Sequence, residues 1–129
     1  MDHDIDDGVR AALARSGIID ITTTGRRTGQ PRRLEIVVHA IDGRTYLSGM
    51  PSHRTRAWLL NLRADPRLTV HVKLGVRADV PAVAREVTDD AERRSIIEWI
   101  VRHAWPRQDP EAMLRHSPLV EVTFPALAA

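Results

Sequence analysis

The sequence predicts an α+β fold, mainly β: a six-stranded antiparallel barrel with inserted helices. Three observations carry this. Six short runs rich in β-branched residues are spaced through 129 residues. One pair of them is joined by Asp42-Gly43, a strong hairpin signal. No series of βαβ units is present, so a doubly wound parallel sheet is unsupported.

The elements follow in chain order. Ile5 to Ser16 reads as a short helix, with Val9 and Leu13 on one face and Gly17 as its stop. Ile18 to Thr24 is dense in β-branched residues and forms the first strand. Gly25 to Pro31 is a loop with two glycines and a proline. Leu34 to Ile41 is the second strand and Thr45 to Ser48 the third. Thr55 to Arg63 reads as helix, with Ala57, Leu60 and Ala64 as its apolar spacing, ended by Asp65-Pro66. Leu68 to Lys73 alternates as a strand should. Val76 to Val87 is a further strand, bent or at an edge because it contains Pro81. Asp89 with Glu92 starts a helix in the manner of a capping box. That helix carries Ile96, Ile97, Ile100, Val101 and Ala104 as its core stripe. Asp109-Pro110 opens another short helix, and Leu119 to Phe124 is the last strand. The whole of 1–129 reads as one domain, with 1–17 as a helical lead-in to the barrel at 18–125.

Composition excludes several kinds of chemistry. The chain has no cysteine, which removes disulfides, thiolate metal sites and thiol nucleophiles. No apolar run is long enough to span a bilayer. The acidic start, Met1-Asp2-His3-Asp4, does not resemble a secretory signal, so a cytoplasmic location is expected. The histidines (His3, His39, His53, His71, His103, His116) lack the helical spacing of a metal pair, and no metal is expected. His39 and His71 fall in strands and read as barrel-wall residues. Asp6-Asp7 and Asp89-Asp90 sit at helix starts, where carboxylates favour the positive end of the dipole. Nucleophile elbows, Walker loops and zinc-protease motifs are missing. No catalytic side chain is therefore expected, and any redox chemistry must come from a bound cofactor.

The charge distribution is more informative than its net value of +2. Lys73 is the only lysine. Arg26, Arg27, Arg32 and Arg33 fall within eight residues with no acid among them. Glycines allow close backbone approach and positive φ. Successive backbone N–H groups in such a turn form an anion-binding nest. Guanidinium groups around it bind phosphate or carboxylate, often in a bidentate manner. Gly25 to Arg32 is thus equally a phosphate or polycarboxylate cradle and a solvated basic hairpin. Nucleic acid is disfavoured, because single-strand binders interleave aromatics for stacking and this loop has none beside it. Glu35, directly after the loop, pairs with Arg33 or a cross-strand partner, or faces a ligand.

The stretch Ile21-Thr22-Thr23-Thr24-Gly25-Arg26-Arg27-Thr28-Gly29-Gln30-Pro31-Arg32 resembles the signature of the deazaflavin-dependent nitroreductase and quinone reductase family. A second block, Ala57-Trp58-Leu59-Leu60-Asn61-Leu62-Arg63-Ala64-Asp65-Pro66 followed by Leu68-Thr69-Val70, is similar to that family's helix and following strand. A looser similarity runs from Ile19 to Phe124.

The resemblance implies a split β-barrel that uses the reduced 8-hydroxy-5-deazaflavin coenzyme F-420. It implies hydride transfer to a small organic acceptor: a quinone, nitroaromatic or activated alkene. Arg26, Arg27, Thr28 and Arg32 match the positions that hold the coenzyme's phosphate and oligoglutamate tail. Arg33, Leu34, Glu35, Ile36 and Val37 would run beside the ring system. Ser48, Gly49, Met50 and Pro51, with Ala57, Trp58 and Asn61, would close the pocket. Trp105 and Gln108 fall where acceptor-side residues lie in nitro-reducing members, although Trp58 and Trp105 read equally well as core anchors. Met50-Pro51-Ser52-His53 replaces a Ser-Lys-Gly-Gly-like turn, so one lysine is lost, with Arg54 or Arg56 as its substitute. The alternatives are a split barrel that uses flavin mononucleotide (FMN) and a non-catalytic carrier of a coenzyme or lipid-like ligand. A homodimer paired across sheet edges is compatible with the pattern, which does not decide it.

Overall fold

A computed structural model describes the backbone of residues 3–127 and the side chains of residues 7–127. The expectations for Met1, Asp2 and the Asp6 side chain lie outside those described residues. The element order is α1 (His3–Leu13), β1 (Gly17–Thr24), β2 (Pro31–Ile41), β3 (Arg44–Ser48), α2 (Ala57–Ala64), β4 (Arg67–Val72), β5 (Ala78–Glu86), α3 (Asp90–His103), α4 (Pro110–His116) and β6 (Leu119–Thr123). The strands close into an antiparallel barrel in the order β1-β2-β3-β6-β5-β4.

Alternation along each strand sends one row of side chains inward. Ile19, Ile21, Val38, Leu47, Val70, Val80 and Val120 fill the interior, joined by Trp58, Leu59 and Leu62 of α2. A second apolar layer lies where α3 and α4 cover the barrel's outer wall. There Tyr46 and Leu119 meet Ile96, Ile97, Ile100 and Met113.

Local chemistry explains the boundaries. Asp42 and Gly43 both have positive φ (50° and 78°), as a tight two-residue hairpin requires. Asp89 caps α3 by accepting the Glu92 N–H at 2.9 Å. The Glu92 carboxylate does not complete the box; it binds Arg85 on β5 instead. Asp109 caps α4, with Pro110 in the first turn. Pro81 pairs with Thr69 on β4, and the pairing of β5 with β6 begins only at Val83. The proline thus sits where its strand is locally an edge, and its missing N–H costs no ladder bond.

Several expectations needed correction. β2 starts at Pro31 rather than Leu34, because Arg32 and Arg33 pair with Thr23 and Thr22 of β1. α2 starts at Ala57, two residues later than expected, and its inner face is Trp58, Leu59, Asn61 and Leu62. Ala57 and Ala64 are exposed. With eight residues and apolar groups all round, periodicity alone does not select the buried face. Ala104 is also exposed, because α3 ends at His103 before the stripe reaches it.

Candidate functional site

The loop between β1 and β2 is held closed from within. The Gly25 N–H donates to the Gln30 carbonyl and the Gly29 N–H to the Gly25 carbonyl, both at 2.8 Å. Gly29 has φ +72°, a conformation that favours glycine. A Cβ at Gly25 would lie 3.0 Å from Thr28 Oγ1 and 3.1 Å from the Gln30 carbonyl oxygen, so the turn has no room for a side chain there.

The loop is also tied to the helix beneath it. Asn61 on α2 is 4% exposed. Its Oδ1 accepts the Arg26 backbone N–H at 3.1 Å, and its Nδ2 donates to Thr23 Oγ1 at 3.1 Å. One amide thereby fixes the end of β1 and the first loop arginine against α2.

The guanidinium groups of Arg26, Arg27 and Arg32 form no ion pair among the described residues. Arg33 differs: its Nε donates to Asp20 Oδ2 at 3.0 Å. Lys73 bridges Asp20 and Glu35 at 2.7 and 2.6 Å. Hydrogen bonds from Lys73 and then Arg33 hold the Asp20 carboxyl below its ordinary pKa. Glu35 therefore pairs with a cross-strand cation, and Arg33 serves the barrel wall.

These elements enclose a cleft of about 860 Å³, within the size range of small-molecule sites. Arg26, Arg27, Thr28, Arg32, Arg33, Leu34, Glu35, Ile36 and Val37 line one side. Ser48, Gly49, Met50, Ala57, Trp58 and Trp105 complete the lining, and Asn61 joins it beneath the turn it is bonded to. Of the residues expected at the site, Pro51 and Gln108 are not on its wall. The Gln108 N–H instead closes a turn onto the Trp105 carbonyl at 3.0 Å. Although the loop sequence contains no aromatic, the fold brings Trp58 and Trp105 to the cleft.

Thr23, Gly25 and Arg56 join the wall beyond the expected set. Arg56 is the more informative. Its guanidinium lies against Gly49, where a Cβ would come within 2.8 Å of Cζ, and it donates to the Met50 carbonyl at 2.7 Å. Of the two arginines offered as lysine substitutes, Arg56 reaches the cleft; Arg54 lines a neighbouring groove with His53 and His116. No side chain caps α2, whose first turn, without an acid, also faces the cleft. Its free N–H groups and dipole favour an anion. Ser48 contributes shape more than polarity, because its hydroxyl already donates to the Pro118 carbonyl at 2.7 Å.

The two strand histidines are both buried. The His71 ring lies 2.6 Å from Thr22 Oγ1 and 2.7 Å from Asp79 Oδ1, a cross-strand ladder over β1, β4 and β5. Among the described residues no cluster of three or more His, Cys, Asp or Glu is arranged to hold a metal ion. No described helix is long and apolar enough to cross a membrane.

Residues 5–122 match the family described as "F420H(2)-dependent quinone reductase". The chain belongs to this family. Its members are deazaflavin-dependent oxidoreductases that rely on coenzyme F-420. Solved structures agree on the split-barrel fold. An F-420-H2 dependent reductase superposes with TM-score 0.58 at 22% identity, covering 82% of this chain and 93% of that one. An FAD-binding protein from Mesorhizobium loti gives 0.60 at 17%, covering 92% and 87%. A protein of unknown function from Agrobacterium tumefaciens gives 0.68 at 17%, covering 95% of this chain. The present chain spans only 55% of that protein's length.

The cleft fits the coenzyme this family uses. One half is cationic and glycine-lined, suited to a phosphate and carboxylate tail. The other half is walled by Leu34, Ile36, Val37, Trp58 and Trp105, suited to a flat ring system.

Proposed function

We propose that Arg26, Arg27, Thr28 and Arg32 grip the phosphate and oligoglutamate tail of reduced F-420. In this reading Leu34 to Val37 bound its ring system, and the protein reduces a quinone, nitroaromatic or activated alkene. The observation that carries the reading is the set of three guanidiniums, without ion pairs among the described residues, on a closed glycine turn that borders an apolar half-cleft. When bound, the reduced coenzyme supplies a hydride.

The chain's own residues bind, orient and exclude water. The arginines neutralise the tail, and Asn61 keeps the turn in register with α2. Arg56 and the α2 N-terminus add positive potential to the same cleft. Leu34, Ile36, Val37, Met50 and Trp58 make the ring end dry, which strengthens every polar contact within it. No side chain has to form a covalent intermediate. Gly49, with no Cβ, leaves space for the Arg56 guanidinium.

The test is turnover. Reduced F-420 is mixed with the protein and 2-methyl-1,4-naphthoquinone (menadione), and coenzyme oxidation is followed by absorbance. Saturable oxidation that requires the protein supports the reading. Absence of turnover with menadione, a nitroaromatic and an activated alkene alike contradicts it.

A further inference from the structure

β2 continues past the cleft. Side chains two residues apart on a strand share a face. Glu35 and Val37 both line the cleft, so His39 is the next position in the same row, one step beyond the apolar end. Its ring is fully buried, and neither Nδ1 nor Nε2 finds a hydrogen-bond partner among the described residues. Buried polar groups are nearly always paired, so an orphaned one calls for an explanation. Burial pushes the His39 pKa down to about 4, so the ring is neutral at physiological pH. A neutral imidazole carries one N–H donor and one acceptor.

One side chain touches both the ring and the cleft. Trp105 meets the His39 ring edge-on, with centroids 4.8 Å apart and planes at 89°. Trp105 also lines the cleft and is only half-buried. It sits just beyond α3, where its backbone N–H donates to the Ile100 carbonyl at 3.0 Å. One indole thus lies against an unsatisfied, uncharged hydrogen-bonding ring and also forms part of the wall of the site.

We propose that His39 is a specificity-determining contact for the acceptor: a quinone displaces the Trp105 indole and takes a hydrogen bond on its carbonyl oxygen from the His39 ring N–H. A flat, uncharged molecule with a carbonyl acceptor suits this place. A carboxylate would have to shed its water beside a neutral donor between apolar walls. The inference rests on the coenzyme occupying the cleft as proposed above.

The experiment uses menadione as the quinone and oxidised F-420 as a non-turning-over partner. In protein labelled with ¹⁵N-histidine, menadione added to the F-420 complex is expected to shift the His39 ring resonances saturably. In turnover, His39→Phe, which keeps the ring shape and removes both nitrogens, is expected to raise the menadione KM about tenfold. His39→Gln, which keeps a donor, is expected to recover part of that loss. F-420 affinity should stay within about twofold of wild type in both variants. If F-420 binds normally but the His39 resonances do not move and KM is unchanged in His39→Phe, this inference alone is overturned. If wild-type protein binds no F-420, the coenzyme reading fails and this inference falls with it. The resonance arm needs no substitution and stands even where a variant does not fold.

Discussion

The Asn61 side chain accepts the Arg26 backbone N–H at 3.1 Å, 35 residues away in sequence. The first arginine of the basic turn is thereby placed by a buried amide on the helix beneath it. Asn61→Ala leaves the Arg26 N–H and the Thr23 hydroxyl without this partner. Losing such bonds at a buried site costs about 1–3 kcal/mol. Chemical denaturation should show that loss, and F-420 titration should show weaker binding, because the turn is no longer held in register. Unchanged affinity in a destabilised variant would mean that the turn orders itself without the amide.

Gly49→Ala tests the part of Arg56. The new Cβ would come within 2.8 Å of the Arg56 guanidinium, a movable side-chain end, and Gly49 has no positive φ to strain. Arg56 should swing away and give up its bond to the Met50 carbonyl. One exposed hydrogen bond is worth about 1 kcal/mol, so the fold should survive. Coenzyme affinity should fall severalfold. A Kd equal to wild type would remove Arg56 from the binding wall.

Stability should depend on pH through His39. Its folded pKa is depressed from 6.5 to about 4 by burial. Above the unfolded value both states are neutral, and the full stability is present. As pH falls from 6.5 towards 4, the unfolded chain takes up the proton and the folded chain does not. Stability should therefore drop by on the order of 3 kcal/mol across that window. His39→Phe should flatten this limb, seen by urea denaturation at stepped pH, and should be at least as stable at neutral pH, because it removes an unsatisfied buried group. A slope that persists in His39→Phe would assign the window to another group.

A second acid limb should lie lower. Asp20 is held below its ordinary pKa by Lys73 and Arg33, and Asp79 by His71. Their contribution is present above the usual carboxylate value of 3.8 and is lost as pH falls beneath it. Asp20→Asn should therefore lower stability at neutral pH and flatten the lower limb, the difference from wild type vanishing as pH falls below that value. A loss of the same size at every pH would contradict the assignment.

Much of this was legible in the sequence, for identifiable reasons. Strands marked by Thr22-Thr23-Thr24 or by Asp42-Gly43 are local signals, but the order β1-β2-β3-β6-β5-β4 depends on long-range pairings such as β1 with β4 that no local signal carries. The basic turn was legible because its glycines and arginines are contiguous. What escaped depends on contacts between distant segments. The inner face of α2 is chosen by the barrel end it plugs, through Trp58, Leu59 and Leu62. The place of Arg56 follows from the bare backbone of Gly49. The engagement of Arg33 and Glu35 depends on Asp20 and Lys73 from β1 and from just beyond β4. The meeting of His39 with Trp105 joins β2 to the turn after α3. Gln108 missed the cleft because its backbone closes that same turn.

The central claim is that three guanidiniums on the β1–β2 turn hold the coenzyme. The direct measurement is a fluorescence titration of oxidised F-420 into wild-type protein and into the variant with Arg26→Gln, Arg27→Gln and Arg32→Gln, its fold checked by circular dichroism. Charge-assisted hydrogen bonds contribute about 1.5–3 kcal/mol each, so the folded triple variant should bind at least about a hundredfold more weakly. Added salt should weaken the wild type and barely affect the variant. Equal affinity in the two folded proteins would contradict the account.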